Sequence, residues 1–215
     1  MKTAVGGTMD QNNNKTLNVR FMTELALLTA IELIMCFVPG LGYIPIGALK
    51  ITLLCIPVAV GSVVLGPKAG VFLGFVFGMS SFLDPAKSAM MAVIPVQSFV
   101  TAIVPRLFVG LVPGLVFMAL RKTRIPHSVS VSIACLLAPL TNTVLYLLFF
   151  VIFLRQYMLE IHPDVYNFFG NHGFLVSYGM MFALSALNIV LEAVAGLVIG
   201  SAICNVLLHT VNKSK

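Results

Sequence analysis

Charged residues are scarce in this chain: they make up 9% of its 215 residues, whereas 59% are hydrophobic and the mean hydropathy is +1.03. A soluble domain of this size carries roughly a quarter charged residues. The composition therefore excludes an ordinary soluble domain and predicts that lipid surrounds most of the surface. The net charge of +6 does not indicate nucleic acid, because the basic residues are scattered and form no stripe interleaved with aromatic side chains.

The sequence also lacks the motifs of common enzyme classes. It contains no GxSxG, HExxH or GxxxxGKS/T motif, so neither a hydrolase elbow, a zinc protease nor a nucleotide loop is indicated. The histidines fall in loops or at the ends of apolar runs, away from any buried serine or cysteine: His127, His162, His172 and His209. We therefore expect no enzyme and assign no catalytic residue, and any ATP that drives the protein is hydrolysed elsewhere.

Cysteines are few and have no CxxC spacing. All four lie inside apolar runs, where they resemble small apolar side chains: Cys36, Cys55, Cys135 and Cys204. We expect neither a disulfide framework nor a metal site, and no cofactor. An internal repeat is missing too, which argues against a self-sufficient transporter built from two mirrored halves.

What the chain does contain is a series of long apolar runs. Residues 40–82 illustrate it: a Gly/Pro loop, an apolar run, the turn Gly66–Gly70 and a second apolar run, an arrangement typical of a membrane hairpin. The whole sequence predicts an all-α integral membrane protein with six transmembrane helices, at Val19–Val38, Lys50–Gly66, Lys68–Leu83, Val100–Leu120, Ser128–Leu154 and Val176–Leu208. The first run is expected to be a full span and not a cleavable signal peptide.

The connecting segments predict the orientation. Three longer loops, Pro39–Leu49, Asp84–Ser98 and Arg155–His172, lie on one side, and the turns around Lys68 and at Arg121–Arg124 lie on the other. The side with the short turns and both termini holds most of the cations, so we expect it to be cytoplasmic, in the plasma membrane of a prokaryote. Residues 1–18 are predicted to be a flexible polar tail, residues 19–210 the membrane domain and residues 211–215 a C-terminal tail.

Small residues predict where helices approach closely. Gly70, Gly74 and Gly78 recur every four residues, which makes a flat ridge on the third span, and we expect this ridge to pack inside the molecule. Ala26 and Ala30 lie one turn apart on the first span. Such a pair is common in membrane helices, so by itself it does not decide whether this face of the helix binds another protein.

Polar residues within the spans are the candidates for a binding site, since they are costly in hydrocarbon. Asn188 and Glu192 share one face of the sixth span, and Asn142 and Tyr146 share one face of the fifth. They indicate a small-molecule pocket below an outer loop, or polar contacts between helices. Glu24 reaches the interface, and Glu32 is either functional or hydrogen-bonded to a neighbouring helix.

Two cations lie on the outer side, against the general charge trend. Lys50 stands where the first loop enters the second span, and Arg106 stands near the start of the fourth. Each is either an interfacial anchor or a ligand-binding residue. A cation beside the pocket suits an anionic substrate.

These residues together resemble a known family. The ordered series is the Ala26 and Ala30 pair, GYIPIG, IPV, GPKAG and GFVFGMSSF, then PRLFVG from Pro105, LTNT from Leu140, and the Asn188 and Glu192 pair. Over residues 20–208 the chain resembles the substrate-binding S components of energy-coupling factor (ECF) vitamin transporters. The nearest subgroup includes pantothenate and riboflavin S components. Lys50 and Cys55 stand where pantothenate-like members tend to have Asn and His.

The resemblance implies a protein that binds a water-soluble vitamin from outside, with pantothenate as the first expectation and riboflavin as the second. It implies a pocket under the first loop and the loop before the fourth span, with groups from spans four to six; the expected substrate-binding residues are Tyr43, Lys50, Gln97, Arg106, Asn142, Tyr146, Asn188 and Glu192. Ala26 and Ala30 would pack against a transmembrane coupling subunit that rides on two cytoplasmic ATPases. The alternatives are an autonomous small-solute transporter or channel, and a membrane enzyme.

Overall fold

Helices dominate the structure because a backbone in lipid must satisfy its polar groups internally. The computed structural model describes residues 5–38, 40–46, 49–83, 92, 94–161 and 174–213. The elements in these ranges are α1 (Val5–Phe37), β1 (Tyr43–Ile46), β2 (Leu49–Thr52), α2 (Cys55–Val64), α3 (Pro67–Phe82), α4 (Pro95–Leu120), α5 (His127–Ile161), α6 (Phe174–Leu184), α7 (Ala186–Ala195), a π-helical turn (Gly196–Gly200) and α8 (Ser201–Lys213).

Three helical segments within the described ranges are long and apolar enough to cross a membrane: Pro95–Leu120, His127–Phe153 and Ala186–Thr210. The last of these presents an apolar stripe outward, because Leu187, Val190, Val194 and Val198 are each more than half exposed. Such a surface is typical of a helix that faces lipid. The structure therefore confirms a helical integral membrane protein, while six spans and the sides of the termini stay predictions.

The predicted second span is wrong at its beginning. Lys50 belongs to strand β2, and helix α2 starts only at Cys55. Strands β1 and β2 form an antiparallel hairpin in which Tyr43 pairs with Thr52. This hairpin occupies the predicted first loop and the start of the predicted span, where β-branched side chains favour extended backbone. At 1.5 Å per residue, the ten residues of α2 span about 15 Å, half of a hydrocarbon core.

Other boundaries differ by several residues. Helix α4 begins at Pro95, inside the predicted second loop, and α5 continues to Ile161, beyond the predicted end at Leu154. The sixth span is interrupted at Ser185 and contains the π-helical turn. Helix α1 begins at Val5, so most of the predicted tail is helical; its flexibility stays a prediction. The remaining residues of the predicted loops lie outside the described residues: 39, 47–48, 84–91, 93 and 162–172.

The α2–α3 turn follows from its sequence. Gly66 has φ of 103°, a backbone conformation that side chains disfavour, and Pro67 follows it as the first residue of α3. Glycine therefore ends one helix and proline begins the next, within two residues. The predicted membrane hairpin at this turn is confirmed in its connection, although its first helix is shorter than predicted.

The glycine ridge of α3 packs against α4, as predicted. A Cβ atom on Gly70 would overlap the carbonyl oxygen of Gly110, and one on Gly74 would overlap that of Arg106. Gly78 lies against Ile103, where a Cβ would be 3.0 Å from the Cα atom. The two backbones are thus in direct contact, and this close packing holds α4, with Arg106, against α3.

Candidate functional site

The site begins with Arg106, a cation that is 5% exposed inside helix α4. Proline at position 105 has no N–H group, so the carbonyl of Thr101, four residues earlier, loses its helical partner. The Nη1 atom of Arg106 donates a hydrogen bond to this carbonyl at 2.9 Å. Pro105 therefore creates the acceptor that holds the next side chain along the helix.

Aromatic rings enclose the same guanidinium. Its central carbon lies 4.7 Å from the ring centroid of Tyr146 on α5 and 5.3 Å from that of Phe77 on α3. Nη2 donates to the hydroxyl of Ser81 at 3.3 Å, while the buried Nε has no hydrogen-bond partner within the described ranges. No carboxylate among the described residues forms an ion pair with Arg106. A buried cation held this way is suited to a bound anion.

Glu192 on α7 is the second charged group, and it is 3% exposed. Its Oε1 accepts hydrogen bonds from the backbone N–H of Thr52 at 2.7 Å and from Nδ2 of Asn188 at 3.2 Å. Its Oε2 accepts one from the hydroxyl of Thr143 at 3.5 Å. This carboxylate therefore ties the end of the β-hairpin to helices α5 and α7.

Two carboxamides leave an acceptor unused. The Oδ1 atoms of Asn142 and Asn188 are buried and have no hydrogen-bond partner among the residues described. A buried acceptor without a donor costs about 1–3 kcal/mol, so these atoms are suited to accept hydrogen bonds from a ligand. Asn188 shares its helix face with Glu192, as its spacing predicted, because the two side chains are hydrogen-bonded.

The charged groups converge on the start of α2. Glu192 accepts a hydrogen bond from Thr52, three residues before Cys55, and Arg106 lies over Phe77, which belongs to the same buried cluster as Cys55. Cys55 belongs to a buried cluster with Leu54 and Phe77, against which Tyr43 packs. The region around Cys55 thus joins the hairpin, α2, α3, α4 and α7, and places a cation and a carboxylate in one apolar surrounding, as ligand pockets do.

The other predicted site residues lie around this region at different positions. Gln97 lies in the first turn of α4, one turn before Thr101, whose carbonyl accepts the hydrogen bond from Arg106. The backbone of Lys50 pairs with Pro45 in the hairpin, while its side chain lies outside the described residues. Tyr43 faces the core cluster next to Cys55, and Tyr146 stacks on Arg106. The assignment of these residues to substrate binding stays a prediction.

Sequence reasoning missed four contributors: Thr52, Ser81, Phe77 and Thr143. Thr52 acts through its backbone N–H, which no side-chain pattern reveals. Thr143 stood beside Asn142 in the sequence and was a visible signal. The Pro105 and Arg106 pair was a further signal. A proline in a helix predicts a carbonyl without a helical partner four residues earlier, and the neighbouring arginine could have been predicted to donate to it.

Helix α1 presents the predicted partner-docking pair to the outside. Ala26 and Ala30 are both exposed, as are Met22 and Ile34 at neighbouring turns of the same helix. A strip with small residues at its centre lets another helix approach closely. Exposure is a condition for docking, and the pair satisfies it.

Comparison with known proteins agrees with this geometry. The family described as "ECF transporter, substrate-specific component" matches residues 20–211. A "Pantothenate transporter PanT" of Leuconostoc mesenteroides subsp. mesenteroides is 29% identical over 204 residues, covering 92% of this chain and 95% of the relative. A "Pantothenic acid transporter PanT" of Lactococcus lactis subsp. cremoris is 26% identical over 205 residues, covering 88% and 92%. The resemblance drawn from the sequence is confirmed: the chain belongs to the family of substrate-specific (S) components of ECF transporters.

Proposed function

We propose that this S component binds pantothenate from outside and delivers it to an ECF module. The observation that carries the proposal is Arg106, a buried cation without a carboxylate partner among the described residues. Pantothenate carries a carboxylate at one end, an amide in the middle and hydroxyl groups at the other end. Two relatives that cover almost the whole chain are named as pantothenate transporters, which supports the same substrate.

The chemistry of the site fits this ligand group by group. The pantothenate carboxylate binds to Arg106, whose free Nε offers a charge-assisted hydrogen bond. The donors of the ligand bind to the unused Oδ1 atoms of Asn142 and Asn188. Glu192 holds the hairpin over the site through Thr52. Tyr43, Lys50, Gln97 and Tyr146 complete the proposed set.

The transport step belongs to a larger assembly. The S component has six membrane helices, of which α2 is a short one beneath the hairpin, and both termini are cytoplasmic. Ala26 and Ala30 dock on a transmembrane coupling subunit that is driven by two cytoplasmic ATPases. ATP-driven docking favours a toppled S component, while the vitamin favours the upright one. The S component performs no chemistry on its substrate.

Calorimetry on the purified S component in detergent tests the substrate. We expect pantothenate to bind in the nanomolar range at one molecule per protein, and mass spectrometry to find it among small molecules released from the protein. If the protein retains riboflavin and not pantothenate, the proposed substrate is wrong, whereas the assignment to the family of S components stands. Binding of neither vitamin, with accumulation of a solute by reconstituted protein alone, would contradict the proposal and favour an autonomous transporter.

Replacing Ala26 with tryptophan tests docking. The bulky ring would hold the coupling helix away, so we expect vitamin uptake by the complete module to fall at least about tenfold. Calorimetry should give the same affinity for pantothenate as the unmodified protein. Ala202→Trp, at an exposed alanine of α8, is the matched control and should retain uptake. Full uptake by Ala26→Trp would contradict the docking face.

A further inference from the structure

Glu32 is a buried carboxyl that the proposed site does not yet use. It lies on α1 and is 0% exposed, and neither of its oxygens has a hydrogen-bond partner in the part of the chain that the structure describes. Glu24, two turns earlier on the same helix, is different: it is partly exposed and accepts a hydrogen bond from Arg20 at 2.8 Å. The burial of Glu32 is thus specific to its position.

The surroundings of Glu32 are those of the site. Leu28, one turn before Glu32 on the same face of α1, packs against the buried cluster that contains Cys55. One turn after Glu32, Met35 and Cys36 pack against the same cluster, which also contains Phe77, the ring that stacks on Arg106. Helix α1 therefore contributes a carboxyl group to the region where α4 contributes Arg106 and α7 contributes Glu192.

The energetics argue against a purely structural role. A buried carboxyl without a partner destabilises a fold, and an apolar side chain of similar volume would pack there at lower cost. The alternative considered from the sequence, a hydrogen bond to a neighbouring helix, is not made within the described residues. Groups that violate the rules of stability in this way concentrate at functional sites.

We infer that Glu32 is a further substrate-contacting residue, which accepts hydrogen bonds from the hydroxyl groups of the ligand. This inference rests on the proposed function. The ligand carboxylate is attracted to the cation Arg106, so the acidic end of the ligand binds at the arginine and its hydroxyl end at Glu32. Glu32 then selects pantothenate against anions of similar size that lack hydroxyl groups.

The test compares Glu32→Met with unmodified protein by calorimetry, using two ligands: pantothenate, and the analogue in which both hydroxyl groups are replaced by hydrogen. We expect Glu32→Met to weaken pantothenate binding at least about tenfold, because the ligand hydroxyl groups lose their acceptor. Binding of the analogue should change little. Glu24→Met, at the partly exposed carboxyl of the same helix, is the matched control and should leave both affinities unchanged.

Either of two results would overturn the inference: unchanged pantothenate affinity in Glu32→Met, or an equal loss for both ligands. Thermal unfolding of the empty Glu32→Met variant gives a readout that needs no ligand. Methionine should raise the unfolding temperature, since it removes a buried group without a partner. If unmodified protein binds no pantothenate, the proposed function fails, and the unfolding temperature of Glu32→Met still tests the role of Glu32. A higher unfolding temperature than that of unmodified protein supports a ligand role for the carboxyl. A lower one shows that the carboxyl stabilises the fold.

Discussion

Arg106→Met is expected to weaken pantothenate binding at least about 100-fold. The loss of a buried charge that pairs with a ligand costs 2–5 kcal/mol or more, because the ligand carboxylate would enter an apolar surrounding without a cation. The pantothenate affinity of Arg106→Lys should lie between those of Arg106→Met and the unmodified protein. Lysine keeps the charge but loses the planar group that stacks between Phe77 and Tyr146. Calorimetry on the purified variants measures the three affinities.

Two controls separate binding from folding in this experiment. Arg121→Met removes an exposed arginine at the other end of the same helix and should leave the affinity unchanged. Empty Arg106→Met should lose no more than about 1–3 kcal/mol of stability, the cost of leaving the Thr101 carbonyl without its donor, because methionine suits the apolar surroundings. Full affinity in Arg106→Met would show that the anion binds elsewhere, and the proposed site would then be wrong.

Gly110→Val is expected to destabilise the fold by at least about 3 kcal/mol, and Gly70→Val to do the same. A Cβ at either position would overlap the backbone of the other, and backbone atoms cannot move aside as a flexible side chain can. The hydroxyl of Ser62, which donates to the carbonyl of Gly110, would lose its acceptor if α4 moved away. Thermal unfolding in detergent, with recovery of monodisperse protein, measures this effect.

Gly179→Val is the matched control for these substitutions. Gly179 also lies in a helix, but a Cβ there meets nothing within 4 Å. We expect this variant to unfold at the temperature of the unmodified protein. Equal unfolding temperatures for Gly110→Val and Gly179→Val would contradict direct backbone contact between α3 and α4. Because α4 carries Arg106, a displaced α4 should also lower pantothenate affinity.

Much of the candidate site was predictable where the relevant distance along the chain is short. Asn188 and Glu192 are four residues apart, so helical geometry alone placed them on one face, and their hydrogen bond confirms it. The ridge of Gly70, Gly74 and Gly78 likewise predicted close helix packing. The predicted start of the second span at Lys50 failed for a related reason: the apolar composition of residues 51–54 does not distinguish a buried strand and turn from a helix.

The sequence by itself determined that this protein is a helical membrane protein, and its ordered motifs determined its family. Composition and helical periodicity are local properties, so they can be determined without knowing how the rest of the chain packs. Only the tertiary structure decided which polar groups meet. Thr52 and Glu192 are 140 residues apart, and Arg106 stacks on rings from two other helices. Those contacts depend on how closely α3 approaches α4 and on where the hairpin ends. Both features result from the packing of segments that are distant in the sequence.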